Sequence, residues 1–130
     1  MSTNLHLTEI GRVAVPAADQ DRALEFYVGT LGFELRSDET FADGQMRWVE
    51  VAPAGASTAI AIAPPMEDGP TAFDTGIVIS TSDIEADHAA LRAAGVDVDE
   101  EIARWGGPVP PMFRLRDPGG NSLTIVEPVT

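Results

Sequence analysis

One supersecondary plan is written twice in this chain of 130 residues, and that repetition constrains the fold more than any other feature. Residues 13–33, VAVPAADQDRALEFYVGTLGF, run as an apolar strand, an acidic cap, an amphipathic helix and a Leu-Gly-Phe stop. Residues 77–96, IVISTSDIEADHAALRAAGV, repeat it, with Asp83 in the place of Asp19 and Gly95-Val96 in the place of Gly32-Phe33. Two copies of a unit of about sixty residues point to a duplicated module whose halves close on one another. A concave site is expected where they meet.

Local signals fill in each copy. The stretch TEIGRVAVP, residues 8–16, alternates as a strand with Ile10, Val13 and Val15 apolar, and Pro16 closes it. Asp19 is placed to cap the following helix, whose Ala23, Leu24, Phe26, Tyr27 and Leu31 fall at helical spacing and form a core-facing stripe. Gly32 supplies the left-handed stop. Strands follow at Phe33–Thr40, Gln45–Ala52 and Thr58–Ala63, joined by turns at Ala42-Asp43-Gly44 and Pro53-Ala54-Gly55. PPMEDGPT, residues 64–71, is a linker, because three prolines and a glycine suit neither a helix nor a central strand.

The second copy reads as a strand at Thr75–Ser80, a helix over Ile84–Ala94 capped by Ser82 or Asp83, and strands at Val96–Ile102, Met112–Arg116 and Ser122–Glu127. Trp105–Pro111 is a loop, and Asp117-Pro118-Gly119-Gly120-Asn121 is a turn whose residues carry no chemistry. The expected architecture is α+β: one domain over 1–130, with βαβββ modules at 8–65 and 72–128. They form a curved mixed sheet around a central cavity, with the helices on its convex face.

Composition narrows the partners. The net charge is −13, from 21 acidic against eight basic residues, and every basic residue is Arg. Such a surface repels phosphate backbones and argues against nucleic acid. No apolar run approaches the roughly 20 residues that cross a bilayer, and the first residues lack the basic and apolar regions of a signal peptide. Absence of cysteine removes thiolate chemistry and disulfides, and a cytoplasmic protein is expected.

DQDRALEFYVGTLGFEL in the first copy, GQMRWVEVAPAG after it, and AAGV with RLRDPGGNSLTIVEP in the second resemble the vicinal oxygen chelate superfamily. Glyoxalase I, extradiol dioxygenases, fosfomycin-resistance transferases and bleomycin-binding proteins belong to it. The resemblance covers residues 8–128. It implies that metal-dependent relatives draw ligands, usually His and Glu, from the first and last strands of each half, where the ion acts as a Lewis acid. Mapped onto this chain, those positions hold Arg12, Ala61 with its neighbours Ala59 and Ala63, Gly76 and Thr124. No metal and no other cofactor is therefore expected. The two histidines offer no replacement, His6 lying before the first strand and His88 on the second helix.

Strand alternation nominates Arg12, Ala14, Gly76, Val78, Arg114 and Thr124 for the cavity face. Trp48 and Glu50 share one face of RWVEV. Val49 and Val51 suit the helix side, yet comparison with the second copy would put Trp48 with Phe113 in the core, so both parities stay open. Trp105 and Met112 border the Pro-rich loop. The candidate ligand-binding set is thus Arg12, Trp48, Glu50, Gly76, Trp105, Met112, Arg114 and Thr124.

Two function classes compete. A metal-independent homodimer would sequester a small organic molecule between its modules, as bleomycin-resistance proteins do, and the acidic surface favours a cationic one. Alternatively a metal-independent lyase or isomerase would use Glu50 as base and Arg12 to stabilise an oxyanion. A metal-dependent dioxygenase or glyoxalase with a non-standard site ranks below both.

Overall fold

The computed structural model describes residues 4–65 and 72–129. The duplicated plan is present as two four-stranded mixed sheets. In the first module β1 (Arg12–Pro16), β2 (Glu34–Phe41), β3 (Met46–Ala52) and β4 (Ala59–Ala63) take the order β1-β4-β3-β2. In the second, β5 (Asp74–Ser80), β6 (Asp97–Val98), β7 (Met112–Arg116) and β8 (Ser122–Val126) take the order β5-β8-β7-β6. The outer pairs β1–β4 and β5–β8 are parallel, and the remaining pairs antiparallel. Most of the linker expected at 64–71 lies outside the described residues.

Both helices begin where the acidic caps require. Asp19 accepts from the Arg22 amide ahead of α1 (Gln20–Leu24), and Asp83, not Ser82, accepts from the Ala86 amide ahead of α2 (Ile84–Ala93). The first helix then departs from expectation: Glu25–Thr30 continue as a π-helical stretch, with the Leu31 amide donating to the Phe26 carbonyl at 2.9 Å. Val28, Gly29 and Thr30 are weak α-formers, so the wider turn costs little there. It keeps Phe26 and Tyr27 buried side by side, their rings edge to face at 5.2 Å.

The core fills the helix-facing side of both sheets. Val15, Val49, Val51 and Ile62 from the first module and Phe113, Leu115, Leu123 and Ile125 from the second join Phe26, Tyr27, Phe33 and Ile84 in one cluster. Two strands are shorter than their sequence patterns. β1 starts at Arg12 and not at residue 8, because its partner β4 begins only at Ala59, and Ile10 is left 73% exposed. β6 stops at Val98 and does not reach Ile102, because the Asp99 carboxylate takes the Arg114 amide in place of a ladder bond. Pairing resumes as a single bridge between Ala103 and Met112.

A buried polar latch joins the modules. The Tyr27 hydroxyl donates to Asp117 Oδ2 at 2.9 Å, and Asn121 Nδ2 donates to the same oxygen and to the Pro16 carbonyl, each at 3.0 Å. Asp117 Oδ1 receives the Gly119 and Asn121 amides. The turn at 117–121, expected to have no role beyond turning, therefore ties the second module to the π-helical stretch and β1 of the first. Burial, then the Asp117 charge and their hydrogen bond, push the Tyr27 phenol far above its ordinary range.

Candidate functional site

Cross-strand partners in a sheet point to the same face, so the registers define what shares the side opposite the core. In the first module one row runs Ala14, Ala61, Glu50, Ser37, with Arg12 opposite Ala59 and Trp48 opposite Glu39. In the second the matching row runs Val78, Thr124, Arg114. The core rows match likewise: Val15, Ile62 and Val49 correspond to Ile79, Ile125 and Phe113.

This settles the orientation of β3. Val49 and Val51 are fully buried and Trp48 is 38% exposed, so Trp48 and Glu50 lie on the face opposite the core. The alignment that would pair Trp48 with Phe113 is displaced by one residue, since Val49 is the counterpart of Phe113. A one-residue slip exchanges the faces of a strand, which is why the choice could not be made from alternation alone.

Arg12, Glu50 and Trp48 form one cluster. Glu50 Oε2 accepts from Arg12 Nε at 3.1 Å and from Trp48 Nε1 at 2.5 Å. The Glu50 side chain is 13% exposed and that of Arg12 58%. The carboxylate thus sits beneath the guanidinium and fixes the indole by its ring nitrogen. Across the duplication the polarity is exchanged: Arg114, the counterpart of Glu50, faces Asp74 on the first strand at a looser 3.7 Å, with both side chains more than half exposed. Thr124 lies between Val78 and Arg114, and Met112 two residues before Arg114 shares its face.

Gly76 differs in kind. It lies in the register shift between Asp74 and Val78 at φ +73°, its amide donating to Asp74 Oδ1. A ligand side chain there would need a left-handed backbone that only glycine adopts without strain. Trp105 is 68% exposed in the loop before β7, ahead of Gly106 and Gly107, both at positive φ. The neighbouring Arg104 pairs with Glu85 of α2. None of the polar contacts formed among the described residues joins Trp105 to the Arg12 cluster.

A divalent ion does not suit these residues. A guanidinium, a methyl group, a glycine and a single hydroxyl occupy Arg12, Ala61, Gly76 and Thr124, and no three His, Asp or Glu side chains among the described residues come together to hold a metal. His88 is committed to packing, its ring 4.8 Å from that of Phe113 and its Nε2 at 2.7 Å from the Asp99 carbonyl. Residues 5–7, His6 among them, extend from the first module with Leu5 and Leu7 exposed. Sequence reasoning missed Glu39, Asp74 and Ser37 as members of this face; the signal was the register of β2 and β5, which alternation within one strand does not carry.

Comparison with known proteins agrees with this architecture. Residues 9–125 match the family model of the Glyoxalase/Bleomycin resistance protein/Dioxygenase superfamily. YetH of Bacillus subtilis is 30% identical over 124 residues, spanning 93% of this chain and 99% of its own. The crystal structure of TnmS3, an antibiotic binding protein from Streptomyces sp. CB03234, superposes with a TM-score of 0.81 at 31% identity, covering 97% of this chain and 100% of that one. A superfamily member from Sphaerobacter thermophilus reaches a TM-score of 0.82 at 36% identity over 95% of this chain and 99% of its own. Matched along nearly its whole length and in both modules, the chain belongs to the glyoxalase/bleomycin resistance protein/dioxygenase superfamily.

Proposed function

We propose that this chain is a metal-independent, cytoplasmic, homodimeric protein that binds a small organic molecule on the face opposite its core. The observation that carries the reading is the Arg12–Glu50–Trp48 cluster, in which an internal ion pair stands where metal-dependent relatives bring ligands together. An indole held at its nitrogen offers a flat apolar surface at little entropic cost. Arg114, only loosely engaged by Asp74, adds a guanidinium able to receive a carboxylate or phenolate of the ligand. Gly76, Thr124 and Met112 complete the floor, and Trp105 forms the rim. Antibiotic binding by the similar TnmS3 supports a sequestering role over catalysis.

A second copy of the chain is part of this reading. Leu5, Leu7 and Trp105 are 70%, 88% and 68% exposed, which is unusual for large apolar side chains on an otherwise acidic surface.

The test uses protein carrying Trp105→Phe, so that Trp48 alone fluoresces, titrated with aromatic antibiotics including metal-free bleomycin. Saturable quenching with at least one of them, weakened about tenfold or more by Arg114→Ala, is expected. Elemental analysis of protein purified without chelator should give well under one equivalent of transition metal. Stoichiometric metal held by the protein, no quenching of Trp48 by any of the antibiotics, or an affinity indifferent to Arg114→Ala would overturn the reading.

A further inference from the structure

The seam between the modules offers concave surface of its own. Between the modules, on the helix side, lies a cavity of about 330 Å³. Its walls are Leu31 and Phe33 from the end of the first helix, Pro53 from the β3–β4 turn, and Ala90 and Leu91 of α2. Leu115 and Ile125 also line it. A second cavity of about 310 Å³ adjoins it, sharing Phe33, Pro53, Ile79 and Ser80. The two make one groove along the seam, reaching Val78 and Ala59 at its far end. Each is at the lower end of the volumes that hold small molecules.

The groove carries one charged side chain. Among the described residues lining either cavity only Asp87 is ionisable, and none is Arg, Lys or His. Asp87 stands exposed in the first turn of α2, with one oxygen, Oδ2, accepting from the Thr81 hydroxyl. It takes part in none of the ion pairs formed among the described residues, whereas Arg12, Arg36, Arg47, Arg104, Arg114 and Arg116 each have a carboxylate partner. A trough lined by apolar side chains together with Thr30, Ser80, Thr81 and a single anion, in a chain of net charge −13, suits a molecule with an apolar body and a cationic end.

We infer that the module seam is a second binding site, separate from the Trp48 face, for an amphipathic organic amine whose ammonium pairs with Asp87 and whose apolar part lies against Phe33, Ile79 and Leu91. The cation adds its hydrogen bonds to Asp87 Oδ1, leaving the Thr81 contact on Oδ2 in place. A carboxylate of the same shape is rejected by like charge, and a neutral alcohol gains only the apolar part.

The experiment titrates the ¹⁵N-labelled full chain with n-octylamine, n-octanol and n-octanoate, following amide shifts. Octylamine is expected to bind saturably and move Thr81, Asp87 and Leu91, octanol about tenfold more weakly, octanoate not at all. Asp87→Asn, which keeps an acceptor for Thr81, should erase the preference for octylamine over octanol. Ala90→Phe, at an exposed helix position, should fill the trough and abolish binding of both. Equal binding of amine and carboxylate would overturn the proposal, as would an undiminished amine preference in Asp87→Asn. Shifts confined to the Trp48 and Arg114 strands would do so too, by assigning the amine to the other face.

Discussion

The two modules share one backbone plan, yet their faces opposite the core have diverged in opposite directions. In the first, the polar groups satisfy one another: Glu50 holds both Arg12 and Trp48 and is itself largely shielded. In the second, the counterpart of Glu50 is Arg114, and its partner Asp74 stands 3.7 Å away with both side chains open to water. A duplicated frame can thus keep its strand register while the side chains on the open face of each half pair differently. One half has become a fixed platform. The other has kept an available charge.

The comparison holds only while the halves are locked in register, and the latch on Asp117 does that. Its carboxylate collects the Tyr27 hydroxyl, the Asn121 side chain and two turn amides in a buried setting. Asp117→Ala leaves those donors unsatisfied, and a loss of about 3 to 5 kcal/mol is expected in urea unfolding. A loss below about 1 kcal/mol would mean that the modules are held by apolar packing alone.

Tyr27 gives a second route to the same interface. It is the only tyrosine, and with neither Lys nor Cys in the chain no other side chain titrates in the mildly alkaline range. Its folded value is raised, first by burial and then by Asp117, while the unfolded chain ionises near the ordinary value of 10.0. Above that pH the unfolded state holds fewer protons than the folded one, so stability falls as pH rises and is fully present below it. The slope should approach about 1.4 kcal/mol per pH unit beyond pH 10 until the native phenol ionises. Tyr27→Phe should abolish the slope. Tyrosinate absorbance appearing near pH 10 in folded protein would contradict the burial of Tyr27.

How far these features were visible in the sequence depended on range. The cap at Asp19, a second cap at Ser82 or Asp83 and the left-handed stops act within a few residues and were legible to that extent. The π-helical widening at Glu25–Thr30 was not, because its benefit is the placement of Phe26 and Tyr27 against residues distant in sequence. The role of Asp117 escaped for the same reason: a turn signature explains Asp-Pro-Gly-Gly-Asn fully by itself, and Tyr27 lies 90 residues away. On the candidate face, parity within β3 gave two answers, and the strand register together with the burial of Val49 and Val51 chose between them.

Within the first module, Glu50→Ala tests whether the platform is fixed by its ion pair. Arg12 is more than half exposed and keeps its hydration, so the stability change should stay under about 1 kcal/mol. Trp48 loses its acceptor and gains water, and in a Trp105→Phe background its emission should shift to longer wavelength. Unchanged emission would show that packing, not Glu50, orients the indole.

The smallest effect on folding belongs to Arg114, and that smallness gives the prediction its use. An exposed pair at 3.7 Å has little Coulomb energy left after solvent screening and loses side-chain entropy to hold its geometry. Arg114→Ala should therefore alter unfolding by no more than about 0.5 kcal/mol, and Asp74→Ala by as little. The two substitutions then separate in ligand binding. Removing Asp74 frees the guanidinium and should tighten binding of an acidic aromatic ligand, whereas removing Arg114 should weaken it. If both weaken binding equally, the pair acts as a unit, and the second module is as closed upon itself as the first.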